Sequence, residues 1–539
     1  MRKITAVILI MILTLSLAAC GKEGGDSLAY ALYSSPSTLD PQYSQGNSAQ
    51  IIIGNCFEGL TRIDENGNIA PGVATDWEIS PDGLTYTFNL REDSGWYIIR
   101  RVNASTLDEK ESRYEPVTAY DFSFAFFRAV KQETDCPDYS QFAIIKNAEK
   151  VHNENLSAIN LGVNALDSKT LEINLERPCP EFLYRLSTPA FMPCNEEFFN
   201  ACDGRYGLNA SYLLCNGPFA VTAWDSSSSL IMRKNAGYSG ENEAKPSSVS
   251  FYFNNDINDI SEKVSLGTYC AGVFTDEENM PSQGVNSTAL DNSVYGFCFN
   301  CSDSYFSNEN LRLALMCCVD RGIFTPPEGS TQTNSCVPLC CRAGEANYIE
   351  AIGSQTVLPA SDTTFAMISF QKALSELNAK SLKLNILCEE KYSGYIRSQI
   401  QIWQKVFDVN LSVSVETLSE NAIETRMRKH DYQFAFAPVH SYSGLAANYL
   451  SGFMSGDGDN IFAFEDEYYD NAVRTTFNIE NPRELLNGCF TMDSYLTRHA
   501  VFYPLFTGRT YLVEHRSVSG VKCSPSGDCI YFSGAISSD

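Results

Sequence analysis

Across residues 77–90 apolar and polar side chains alternate. Trp77 and Ile79 precede Ser80-Pro81-Asp82-Gly83, and Leu84, Tyr86, Phe88 and Leu90 then interleave with Thr85, Thr87 and Asn89. A period of two puts every second side chain on one face of an extended strand. Proline presets the turn backbone and glycine accepts positive φ, so the segment reads as a hairpin. At Thr118 the period changes. Thr118-Ala119-Tyr120-Asp121 has the form of a capping box, and Phe122, Ala125, Phe126 and Ala129 then share one helical face. That aromatic stripe reads as core rather than as a ligand box.

The same switching continues along the chain. Residues 171–175 alternate and end at Pro178 and Pro180, and residues 219–224 and 230–232 form a second hairpin pattern after Asn216-Gly217-Pro218. Asn308 can cap a helix with Leu311, Ala314, Leu315 and Cys318 on one face. Residues 382–387, 396–407 and 411–415 read as strand, helix and strand. The fold class is therefore α/β throughout. With no internal repeat and no low-complexity linker, the chain is expected to cross between lobes rather than string them like beads.

The N-terminus says where this folding happens. Arg2 and Lys3 precede an uncharged, largely apolar stretch over residues 4–17, shorter than the roughly 20 apolar residues a stable bilayer span needs. A charged start, a short apolar core and small residues before a cleavage point mark an export signal. Leu17-Ala18-Ala19-Cys20 followed by Gly21 is similar to a bacterial lipobox, in which the cysteine is acylated. Residues 1–19 are thus expected to be a lipoprotein signal peptide and residues 20–27 a lipidated, flexible tether. The remaining length suits about three domains, and 44% hydrophobic and 12% aromatic residues argue against disorder. A net charge of −26 disfavours nucleic acid and anionic membrane surfaces. Such a field could draw cations, but a solubilising surface explains it.

Nineteen cysteines invite a metal or disulfide reading. Cys523 and Cys529 bracket a turn-rich Ser-Pro-Ser-Gly-Asp and could staple a hairpin. Cys298 and Cys301 form a C-x-x-C, and Cys336, Cys340 and Cys341 cluster. No second ligand pair stands at matched spacing, and none of the five histidines is near these groups. Buried thiols are the favoured reading, with no metal and no cofactor. Asp64 to Asn68 has the opening of a calcium loop, but Ile69 replaces the needed glycine and Thr75 the bidentate glutamate. No G-x-S-x-G and no H-E-x-x-H occurs. Ser369-Phe370-Gln371-Lys372 fits S-x-x-K without its companion signatures and reads as a polar helix face. No catalytic residue is expected.

Taken in order, these segments resemble the peptide-binding class of ABC-transporter solute-binding proteins, the oligopeptide- and dipeptide-binding lipoproteins of family 5. The landmarks run from Thr38-Leu39-Asp40-Pro41 through Phe57-Glu58-Gly59-Leu60, Ile69-Ala70-Pro71-Gly72-Val73-Ala74-Thr75-Asp76-Trp77-Glu78 and Pro116-Val117-Thr118-Ala119-Tyr120-Asp121-Phe122. They continue through Asn216-Gly217-Pro218-Phe219 and Lys234-Asn235-Ala236-Gly237-Tyr238 to Leu311-Arg312-Leu313-Ala314-Leu315 and Asp320-Arg321. The resemblance implies a two-lobed periplasmic-binding-protein-like clamp of class II type, with an extra subdomain on the first lobe. Lobe I would take 28–56, 182–290 and 501–539, the extra subdomain 57–181 and lobe II 291–500. It also implies an extracytoplasmic monomer, held to the outer face of the membrane by lipid, that passes a peptide to an ABC permease. The same clamp elsewhere takes oligosaccharides, haem or metal chelates, or serves as a receptor.

The pocket departs from the family pattern. Relatives hold the peptide amino terminus with an aspartate after the strand resembling residues 432–437, but here Pro438-Val439-His440-Ser441-Tyr442-Ser443-Gly444 contains no acid. His440 and Tyr442 occupy that neighbourhood. Glu420 stands where a pocket tryptophan is usual, and Cys298 where the family has an acid. Glu420, Asp457 or Asp459 could supply the missing charge, since a buried ammonium needs a carboxylate. The loop Ser44-Gln45-Gly46-Asn47 lines the cleft in relatives. The candidate contacts are therefore Ser44, Gln45, Gly46, Asn47, Cys298, Glu420, His440 and Tyr442, with Cys20 as the lipidation site.

Overall fold

A computed structural model describes residues 27–538 except 45, 65–67, 99–112, 155, 180–181, 276, 345, 354, 356–357, 359–360, 442, 457–459, 478, 480, 525–526 and 528. Cys20, Gln45, Tyr442, Asp457 and Asp459 lie outside the described residues.

The predicted hairpin forms. Ala74–Ile79 pairs antiparallel with Thr85–Leu90, and Gly83 turns the chain at φ 69. The alternation of the second strand is used as read, with Tyr86, Phe88 and Leu90 buried. Thr170–Asn174 and Val163–Ala165 complete a four-stranded antiparallel sheet. Over it lies the helix Ala119–Val130, opened by the Thr118 and Asp121 capping box. Its buried face carries Phe122, Ala125, Phe126 and Ala129.

A second four-stranded sheet orders Ser27–Leu32, Ser248–Phe253, Ser229–Lys234 and Phe219–Asp225, with only the first pair parallel. Its side chains merge with those of the hairpin sheet into one core that runs from Leu28 to Ala535 near the C-terminus. Two motifs far apart in sequence are knotted inside this body. Glu58 pairs with Arg91 at 2.7 Å and accepts from Tyr238 Oη, while Asn216 donates to Glu58 O at 2.9 Å. Asp40 pairs with Arg128 at 2.6 Å. Burial pushes the Glu58 carboxyl up, against the pull of Arg91.

The rest is organised by a six-stranded sheet in the order Ala271–Phe274, Phe502–His515, Val285–Phe299, Phe434–His440, Leu382–Cys388 and Leu411–Thr417. The last two strands are parallel and joined by the helix Ser393–Phe407, a β-α-β unit as the alternating pattern predicted. Val285–Phe299 and Phe502–His515 are the shared rails of the molecule, paired from Val285↔His515 to Cys298↔Phe502. One end packs Val513 with Ile260, Val264 and Phe274. The other contributes Phe297, Phe299, Tyr503 and Leu505 to a core with Trp403 and Phe434. The register shifts between Leu290 and Ser293, and there the first rail changes from exposed to buried. A bulge of this kind bends a strand locally.

Two local readings are corrected. Cys318 is buried but lies beyond its helix, which is Glu309–Met316, because the chain turns at Cys317. Ser369 is on the buried rather than the polar face of Thr363–Glu376, 4% exposed, because Ala366, Phe370 and Ala373 bring that face against the core. The hairpin at the C-terminal end forms between Lys522–Cys523 and Ile530–Tyr531, with Cys523 opposite Ile530 rather than Cys529. Cys298, Cys336 and Cys341 are buried together in the core behind the six-stranded sheet, where burial pushes the Cys298 and Cys336 thiols well up.

Candidate functional site

Between the two bodies lies a cavity of about 1410 Å³. One wall comes from the helix Asn47–Cys56, through Gln50, Gly54 and Asn55, and from the C-terminal hairpin through Cys523 and Tyr531. The opposite wall is the end of strand Phe434–His440, with Pro438, Val439 and His440, followed by Leu445 and Tyr449. The helix turns its small residue inward for a steric reason. A Cβ on Gly54 would stand 2.5 Å from Cys529 Sγ. Along one edge the bodies already touch. Arg342 Nη1 donates to Asn68 Oδ1 at 3.3 Å, and the Arg185 guanidinium lies 4.5 Å from the centre of the Phe477 ring.

The walls reverse the charge balance of the chain. Among the described residues eight Lys and Arg line the cavity against seven Asp and Glu, whereas the chain as a whole has 39 against 65. The acidic excess therefore sits mainly outside the cavity, as a solubilising surface would, and the interior is not a sink for cations.

Of the residues singled out from sequence, Glu420 and His440 are brought together across twenty positions. His440 Nε2 donates to Glu420 Oε1 at 3.0 Å, with both side chains largely buried. Burial alone would lower the His440 pKa, but the hydrogen bond and charge of Glu420 hold it above the ordinary histidine value. Burial opposes ionisation of Glu420 in turn, and is outweighed by the bond to His440, its charge and Lys391. Tyr295 Oη donates to Glu420 at 3.4 Å. Glu420, one of the three carboxylates that could replace the family aspartate, is thus committed to an internal partner. Ser44, Gly46 and Asn47 lie just ahead of the helix residues that reach the cavity, with Ser44 buried and Gly46 exposed. Cys298 is fully buried in the core with Cys336 and Val337 and is not part of the wall.

The sequence reading missed the basic edge of the cavity. Arg177 and Arg185, which follow the hairpin-sheet strand Thr170–Asn174, line the cavity together with Arg474 on the helix Glu467–Thr476, and both of the others repel Arg177. Arg185 donates from Nη1 to the Gln141 carbonyl at 3.1 Å. Its Nε and that of Arg177 are buried with no hydrogen-bond partner among the described residues. Burial, and then the neighbouring charge of Arg185, lower the Arg177 pKa. No local pattern flags these positions, since the three arginines meet only through the fold.

A profile of the bacterial extracellular solute-binding proteins, family 5 Middle, matches residues 68–460. The oligopeptide-binding protein OppA of Bacillus subtilis (strain 168) is 25% identical over 486 residues, which is 84% of this chain and 84% of that protein. The structure of Haemophilus influenzae OppA in complex with RPPGFSPFR superposes with a TM-score of 0.76 at 21% identity, covering 96% of this chain and 100% of the other. Listeria monocytogenes OppA bound to peptide gives 0.75 at 20% identity, covering 96% and 100%. The architecture described above is therefore the two-lobed α/β clamp of these proteins.

Proposed function

This chain belongs to the family-5 bacterial extracellular solute-binding proteins, and on that premise we propose that it captures a peptide in the interlobe cavity and delivers it to an ABC import permease. The observation that carries the reading is the cavity itself, walled by both bodies and about 1410 Å³ in volume. That exceeds the roughly 300–1,000 Å³ of pockets for drug-sized ligands, so an extended chain of several residues fits. Relatives named for oligopeptides, and neighbours solved with peptide bound, support the same substrate class. Closure around the ligand is a population shift towards the state the ligand prefers. The bulge at residues 290–293 on the rails is the proposed hinge, and lobes I and II and the extra subdomain are proposed with the bounds given above. Cys20 is proposed as the lipid anchor that holds a monomer at the outer face of the membrane. His440, supported by Glu420, is proposed to contact the ligand from the second-lobe wall.

A thermal-shift screen against mixed short peptides, oligosaccharides and metal chelates tests the substrate class, because a ligand that prefers the folded state raises the melting temperature by mass action. Peptides alone are expected to shift it. A shift with sugars or chelates and none with peptides would keep the clamp and remove the peptide. Cys20→Ala should release the protein from the membrane and leave its ligand affinity unchanged.

A further inference from the structure

The arginines at the edge of the cavity are arranged at a cost the fold does not recover. Arg185 is 4% exposed, and covering a cation so completely without a carboxylate is unfavourable unless something else supplies the charge. Among the described residues it lies against the Phe477 ring and donates to one carbonyl, Gln141 O, with no ion pair. Arg177 feels the like charges of both Arg185 and Arg474. The nearby acids offset them only in part. Glu149 attracts Arg177 less than Arg185 repels it, and the half-exposed Arg474 forms a long ion pair with Asp470 at 3.9 Å and donates to Asn471 Oδ1 at 3.2 Å. Asp138, also on the wall, is engaged by the Gln141 amide at 2.9 Å.

The unfilled groups have matching chemistry. Nε donors on Arg177 and Arg185 and the Gln141 Oε1 acceptor are all buried without a partner among the described residues, and all three residues line the cavity. Guanidinium N–H groups fit carboxylate oxygens, and the amide oxygen would accept an N–H close by. We propose that the ligand carries a carboxylate that seats between Arg177, Arg185 and Arg474, bridging the extra subdomain to the second lobe. An anion there relieves the repulsion between the arginines and ties the two sides of the seam together. It contributes most in the closed form, which is how a ligand favours closure. The proposal rests on the peptide-capture reading and gives the peptide its anchoring end. The carboxylate is either the C-terminus or an acidic side chain, and the two are distinguishable.

The test uses the full chain in mild detergent and randomised tetrapeptide pools, with retained members counted by mass spectrometry. One pool has free C-termini and no Asp or Glu, a second is C-amidated without Asp or Glu, and a third is C-amidated with one Glu. The wild type should prefer a carboxylate-bearing pool over the second pool by about tenfold. Enrichment of the first pool identifies the C-terminus, and enrichment of the third identifies a side chain. The preference should disappear in Arg177→Gln/Arg474→Gln, whose two sites are partly or largely exposed and tolerate substitution, and should survive in part with lysine at both positions. Equal retention of all pools by wild type and variant would overturn the arginine seat while leaving peptide capture intact. Retention of none by the wild type would overturn peptide capture and the seat with it.

Discussion

Arg128 and Arg185 are buried to nearly the same degree, 7% and 4% exposed, and each lies against an aromatic ring, Phe199 at 3.9 Å and Phe477 at 4.5 Å. They differ in what surrounds the N–H groups. Arg128 meets Asp40 at 2.6 Å, Gln42 Oε1 at 2.8 Å and Cys194 Sγ at 3.2 Å, inside one continuous core. Among the described residues Arg185 has a single carbonyl, beside a cavity. The first region is complete without a ligand, and its arginine fixes how the segment around Asp40 sits on the helix Ala119–Val130. The second is complete only if a ligand supplies the anion. Two equally buried cations are thus told apart by whether the chain itself provides the counter-charge.

The sharpest way to break this comparison is Arg128→Leu. It strands Asp40 and Gln42 in the core, and removing one partner of a buried pair typically costs about 3–5 kcal/mol. Urea denaturation should show a loss of that size, and a loss below about 1 kcal/mol would make the knot as dispensable as the cavity edge.

Glu420→Gln should cost less, about 1–3 kcal/mol, because it leaves a charged hydrogen-bonding group unmatched in a largely buried site. The dependence on pH has a definite sign. His440 is raised above its ordinary 6.5, so its contribution is complete below that value and fades as pH rises through the folded-state value. Glu420 is lowered below its ordinary 4.5, so its contribution is complete above that value and is lost as pH falls through the folded-state value. The stability gap between wild type and Glu420→Gln should therefore be widest between pH 4.5 and 6.5. A gap that grows steadily towards alkaline pH would contradict the pairing.

Arg177→Gln should be the mildest change. Without ligand the melting temperature should hold or rise slightly, because a like charge beside Arg185 is removed and no hydrogen-bond partner among the described residues is lost. A drop comparable to that of Arg128→Leu would show that Arg177 supports the fold and would erase the distinction between the two regions.

Much of the fold was legible because its signals are local. The Ser80-Pro81-Asp82-Gly83 turn, the Thr118 capping box and the Asn308 cap form within a few residues of chain, so propensity and hydrogen bonding act before tertiary context does. The ordered landmarks carried the family, and two of them have a physical cause in the structure. The Glu58 carboxylate binds Arg91 and Tyr238, and Asp40 binds Arg128, so neither landmark acid can change alone. The site was legible only in part. Glu420 and His440 were picked out as neighbours of the pocket, yet their mutual pairing was not foreseen, and Cys298 was placed by register in a pocket from which its strand turns it into the core.

The sequence alone determined that this chain folds as an α/β clamp, because period, caps and turns are written in neighbouring residues and their order identifies the family. It did not determine which charges would be satisfied. Arg177 and Arg474 lie on different bodies, and Glu420 reaches His440 only after a helix and a strand pack together. Charge pairing depends on distance and burial in space, and the closing of the two bodies around the cavity sets both.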